Sequence, residues 1–196
     1  MGLVSLTVCG MPALRNEQSR RAILDAAMSM ICELGYDKIS IEAIARQAGV
    51  SKQTIYRWWP SKGAVILEAA TESLGAVVAI PDTGDIVADI RTQLTAILDL
   101  ITTTGFGPAY RSLIAAGQSD PDLLRALFDQ IIEPNIQDFS ARTALARQRG
   151  EMRGDADWQT LRDLLYGVVE YRLFHSMPLE PEYLDAVLEI VFHGVR

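Results

Sequence analysis

The chain has 196 residues, 49% of them hydrophobic, and a formal net charge of −7, which supports a sizeable folded core and excludes a disordered chain. The charge is split: residues 1–62 hold eight basic and five acidic side chains, net +3, and the remainder ten and twenty, net −10. A basic first part suits a polyphosphate partner and the acidic remainder repels one, so two regions with different partners are expected.

Residues 1–14 read as a flexible leader, with Met11 an alternative start. Cys9 and Cys32 are the only cysteines, with no CxxC and no Cys/His cluster. No disulfide framework, metal site or cofactor is therefore expected, and a reducing cytoplasm fits. No run approaches the roughly 18 apolar residues of a membrane span, so no membrane partner is expected.

Apolar residues recur at helical spacing nearly throughout, which makes the fold class all-α. A first helix is predicted over 17–34, with Ala22, Ile23, Ala26, Ala27, Met30, Ile31 and Leu34 on one face and Gly35 as its stop. Ser40 caps a short helix over 41–48, ended by Gly49; Ser51 caps a third that must stop before Pro60. A fourth starts at Ser61 and runs to about Ala79. Further helices are predicted over 85–103, 107–116, 121–149, 157–176 and 182–194, making nine. Pro134 should kink or split the 121–149 element, because it has no amide for the ladder.

The informative stretch is SIEAIARQAGVSKQTIYRWWPSK, residues 40–62. Two short helices flank a glycine turn, and Ile41, Ile44, Ala45, Ala48, Val50, Ile55 and Trp59 can share a small core with the first helix. That is helix-turn-helix spacing. Such a unit offers the start of its second helix to the major groove, here Lys52, Gln53 and Thr54 with Arg57 a turn later. Gln pairs with adenine, Arg with guanine, and Thr meets a thymine methyl. Tyr56, Trp58 and Lys62 are better placed for phosphates and sugars. Ser40, the cap of the first short helix, belongs to the same DNA-facing set. Lys38 and Arg46 read as solvated charges, while Arg15, Arg20 and Arg21 are open to minor-groove or backbone support or to no role.

GVSKQTIYRWWPSK resembles the recognition-helix signature of the TetR family, with its Gly-Val-Ser turn, Thr-x-Tyr core and closing Pro-Ser-Lys. The resemblance covers residues 17–66. It implies an N-terminal three-helix DNA-binding domain over 15–62, in which Ser51, Lys52, Thr54, Tyr56, Trp58 and Lys62 take the family's DNA-contacting places. It also implies a larger ligand-binding and dimerising domain over 63–196, with an unknown small-molecule effector that releases a homodimeric repressor from double-stranded operator DNA. Two positions depart from the pattern: Gly63 stands where the family is usually acidic, and Trp58 and Trp59 are adjacent.

Within the acidic remainder, Leu161, Leu164, Leu165, Val168, Val169 and Leu173, with Leu184, Val187, Leu188 and Val191, form stripes wide enough to serve both the protomer core and a twofold mate. Phe106, Tyr110, Trp158, Tyr166, Glu170, Phe174 and His175 are pocket candidates, although ordinary core packing is the first expectation for each. Three other functions stay open: an activator of the same fold, a redox-responsive regulator using Cys9 or a Cys32 expected to be buried, and an enzyme. For an enzyme only His175 and His193 offer a histidine base, and no nucleophile motif accompanies them.

Overall fold

Helix α1 (Met11–Leu34) starts in the computed structural model six residues before the predicted start, and the structure describes residues 11–74 and 79–193. Pro12 sits in its first turn, where an amide would have no intrahelical partner, so nothing in the sequence stops the helix from reaching back into residues 11–14. The rest of the expected leader, Cys9 included, lies outside the described residues. Gly35, at φ 77°, turns the chain into a 3₁₀ turn (Tyr36–Lys38). Then come α2 (Ile41–Gln47), α3 (Lys52–Tyr56), α4 (Lys62–Leu74), α5 (Ile86–Thr103), α6 (Phe106–Gly117), α7 (Pro121–Leu127), α8 (Glu133–Arg149), α9 (Trp158–Phe174) and α10 (Pro181–His193). A π turn (Phe128–Ile132) joins α7 to α8 without a break, so the described residues form nine helices and no strand.

The start signals lie in the sequence. Asp85, Asp120 and Asp157 each accept hydrogen bonds from amides in the first turn of α5, α7 and α9, satisfying donors that have no intrahelical partner. Pro134 acts through the π turn just before it: the Glu133 amide reaches five residues back to Phe128, and the helix continues beyond the proline.

Two apolar cores result. The first gathers Ile23, Ala27 and Ile31 of α1, Ile44 of α2, Ile55 of α3, Val65 and Ile66 of α4, Leu113 of α6 and Leu127 of α7. It is not divided at Lys62, because α1 packs on both α4 and α6. The second joins Ile86, Ile90 and Leu94 of α5, Phe139 and Ala146 of α8, Leu165 of α9, and Leu184 and Leu188 of α10. Beside this second core lie the buried charges among the described residues. Arg142, its side chain 4% exposed, donates from Nε and Nη2 to Asp89 at 2.9 and 2.6 Å and also pairs with Glu151. The Thr83 hydroxyl donates to the same Asp89 carboxylate at 2.6 Å.

Candidate nucleic-acid interface and effector cavity

The α2–α3 unit is fixed at both starts by serine caps. Ser40 Oγ accepts from the Ala43 amide and Ser51 Oγ from the Thr54 amide, each at 3.2 Å. Gly49, at φ 67°, adopts the left-handed conformation of the turn, which glycine enters without steric cost. Ile41, Ile44, Ala45, Ile55 and Trp59 are buried beneath, so the opposite face of α3 must point outward.

On that outward face Lys52, Gln53, Tyr56 and Arg57 are exposed, while Thr54 is half-buried with its Oγ1 3.0 Å from Ser51 Oγ. Lys52 Nζ lies 2.8 Å from Glu42 of α2, and this pairing raises the lysine and lowers the carboxylate from their ordinary ranges. The Arg57 guanidinium lies 5.1 Å from the ring centre of Trp58, which meets Trp59 edge to face. Lys38, Arg46 and Arg21 are exposed, and the side chain of Arg15 lies outside the described residues.

Two basic side chains are turned inward. Lys62 Nζ donates to the carbonyls of Tyr36 at 2.8 Å and Ile39 at 3.1 Å, and stands 4.2 Å from the Tyr36 ring centre. It thereby closes the 3₁₀ turn that precedes the Ser40 cap. Arg20 of α1 pairs with Glu17, Glu68 and Glu72, and its neighbours hold it charged. Glu68 also accepts from the Trp59 indole at 2.7 Å, so one carboxylate of α4 holds the end of the reading unit and α1 together. The sequence reading missed Glu68; its signal is the i,i+4 pair Glu68 and Glu72 on the α4 face turned to α1.

A cavity of about 310 Å³ lies among α4, α5, α6, the π turn, α8 and α9. Four of the seven pocket candidates line it: Phe106, Tyr110, Tyr166 and Glu170. The Tyr110 hydroxyl donates to Glu170 at 2.8 Å, and burial, followed by that carboxylate, raises its pKa well above the ordinary tyrosine value. Burial pushes Tyr166 up to about 12, and its hydroxyl pairs with Gln93. The remaining three candidates lie elsewhere. Trp158 packs against the second core, Phe174 is partly exposed and stacks on Tyr110, and His175 is exposed against Tyr171 beyond the last turn of α9. The sequence reading missed Arg162, Asn135 and Asp138, which supply most of the other polar lining. Arg162 lies 5.2 Å from the Tyr166 ring centre, and its buried Nε has no hydrogen-bond partner among the described residues.

The expected dimer stripe also divides. Leu165, Val169, Leu173, Leu184 and Leu188 form the part of each stripe that is buried inside the protomer, where helical phase turns them to the core. Leu161, Val168, Val187 and Val191 are half-buried. Leu164, Tyr171 and Ile190 point outward, each more than half exposed. Cys32, expected to be buried, is exposed at the last turn of α1. Among the described residues no cluster of His, Cys, Asp and Glu could hold a metal ion, and no helix is long and apolar enough to cross a membrane.

Residues 23–72 match the bacterial regulatory proteins of the tetR family, and residues 80–191 match the tetracyclin repressor-like C-terminal domain. The HTH-type transcriptional regulator YdeS of Bacillus subtilis is 35% identical over 183 residues, covering 93% of this chain and 92% of its own. The DNA-binding transcriptional repressor TetR of Mycobacteroides abscessus is 30% identical over 192 residues, 93% of this chain and 98% of its own. Among solved structures, the TetR family transcription regulator SCO0332 is 34% identical with a TM-score of 0.74, covering 91% of this chain and 99% of that one. FadR from Bacillus subtilis, solved with stearoyl-CoA, shares the fold at 20% identity and a TM-score of 0.76, covering 90% of this chain and 99% of that one.

Proposed function

This chain belongs to the TetR family of helix-turn-helix transcriptional regulators, and on that premise we propose that it is a homodimeric repressor that leaves its operator when a small, mostly apolar molecule fills the cavity. The observation that carries the reading is the placement of that cavity. It is bounded on one side by α4, which shares its apolar core with the reading unit. A molecule lodged there perturbs the helix on which the DNA-facing surface rests.

At the DNA, Gln53 and Arg57 read base edges, and the Thr54 methyl, its hydroxyl being held by Ser51, meets a thymine methyl. Lys52, Tyr56 and Trp58 contact the backbone, with Ser40 and Ser51 supporting them through the caps. Lys62 supports the fold from within, by way of the Tyr36 and Ile39 carbonyls. The exposed Leu164, Tyr171 and Ile190, with Val168 and Val187 beside them, supply the contact with a twofold mate. Two reading units then stand roughly 34–36 Å apart, one DNA turn. A DNA-bound role places the protein in the cytoplasm. For the effector, the aliphatic and aromatic walls favour an apolar body, and Arg162 and the Tyr110–Glu170 pair favour a hydrogen-bonding head.

A mobility shift of the purified protein on its own upstream intergenic DNA, against scrambled competitor and over a salt series, tests the proposal. The expected result is a specific complex on a partly palindromic site that weakens as salt rises. Equal affinity for scrambled DNA would overturn it. Leu164→Glu should convert the dimer to monomer in sedimentation and abolish binding to the full site; an unchanged sedimentation profile would remove α9 from the interface.

A further inference from the structure

The departure at Gly63 has a structural reason. It is the second residue of α4 and is fully packed: a Cβ there would stand 3.0 and 3.2 Å from the two Leu123 methyls and 3.2 Å from the Tyr36 hydroxyl. Glycine is a poor residue for a helix, so its presence is accounted for by the close approach of α7 rather than by α4 itself. Leu123, in the first turn of α7, is thus seated on the backbone of the first turn of α4.

Each side of that contact leads somewhere. In the first turn of α4, Lys62 binds the carbonyls of Tyr36 and Ile39, directly before the Ser40 cap of α2. At its other end α7 runs into the π turn, where Gln130, Ile131 and Ile132 line the cavity. A π turn is a local irregularity within a continuous helix, and Pro134 just beyond it gives no amide to the ladder. The joint between α7 and α8 is therefore where the rod can bend without breaking either helix.

We propose that α7 is the lever of the regulator: filling the cavity displaces the π turn, α7 tilts, and Leu123 moves on its Gly63 seat, shifting the Lys62 latch and with it α2 and α3. This rests on the repressor reading above and names the contact through which the effector acts. Thr71 and Leu74 meet the cavity at the far end of α4, whereas Leu123 meets Gly63 at the end beside the reading unit, and it is there that the lever acts.

The test needs no effector, because a large side chain can occupy the cavity in its place. Ile97→Trp, from the α5 wall, is compared with the native chain in operator mobility shifts, alone and combined with Leu123→Ala. Thermal unfolding confirms that each variant is folded, and Val169→Phe from α9 serves as the filler should Ile97→Trp not fold. The filler is expected to weaken specific binding about tenfold in the native background, within the usual range of coupling between sites, and less than about twofold beside Leu123→Ala. Gly63→Ala, with the cavity unfilled, should imitate the filled state and weaken binding in the same direction. Equal losses with and without Leu123→Ala, or no loss from either filler in the native background, would overturn the lever while leaving operator binding by the native chain intact. Failure of the native chain to discriminate its operator would instead defeat the repressor reading, and the lever with it.

Discussion

The two cores of this molecule are held in different ways. The one that carries the reading unit is assembled from aliphatic side chains and Trp59 beneath serine-capped helices, and its charges, including Arg20 and Lys62, lie at its margin. The one that carries α5, α8, α9 and α10 has the Asp89–Arg142–Glu151 cluster sealed beside it. An apolar core tolerates small shifts, because dispersion contacts have no fixed direction. A buried ion cluster does not, because separating its members leaves desolvated charge. The half that carries α2 and α3 therefore has fewer direction-fixing contacts, while the half built from α5, α8, α9 and α10 is pinned.

Arg142→Ala should break this contrast most severely. Removing the guanidinium strands Asp89 in the interior and should cost about 3–5 kcal/mol in urea unfolding; a loss below about 1 kcal/mol would show that the cluster does not pin the second half. The same cluster gives a pH dependence. Burial alone would raise the Asp89 carboxyl, but the hydrogen bonds from Thr83 and Arg142 outweigh it and hold the group below its usual range. A carboxylate lowered in the folded state adds stability above its unfolded pKa and loses it as pH falls through the folded value. The urea midpoint should accordingly drop below about pH 4, and Asp89→Asn should flatten that drop; parallel acid profiles would argue against the assignment.

Gln53→Ala and Arg57→Ala come next. Each should cost about 1–3 kcal/mol on the operator and little on random DNA. Equal losses on both would move these side chains from base reading to backbone contact. The smallest effect separates two lysines. Lys52→Ala should reduce the slope of log affinity against log salt by about one. Lys62→Met should weaken binding to all sequences with that slope unchanged, because the lost ammonium was bound to carbonyls rather than to phosphate.

These lysines also mark how far the sequence could be read. The Ser40 and Ser51 caps, the Gly49 turn and the burial of Ile44, Ile55 and Trp59 depend on partners within a few residues or on one helical period, and spacing reveals them. Lys62 finds its carbonyl partners more than twenty residues back, and Glu68 joins Arg20 across 48 positions. No local pattern encodes either. The cavity was legible in its aromatic and acidic members, Phe106, Tyr110, Tyr166 and Glu170, but not in Arg162 or the π turn, whose places depend on how α8 lies against α9. On α9 and α10 the spacing of apolar residues reveals that a stripe exists. It does not reveal the phase, because the packed neighbours decide that Leu165 turns inward while Leu164 stays outside.

The undivided first core bears on how this regulator can be taken apart. A reading head cut at Lys62 would leave Ile23, Ala27 and Ile31 without the α4 and α6 surfaces that cover them, so such a fragment would expose a greasy flank and tend to self-associate. A transplant that gives this head to another sensor must carry α4 along and recreate the α6 and α7 faces in the recipient. In terms of folding, the smallest self-sufficient unit that carries the DNA-facing surface is larger than that surface itself.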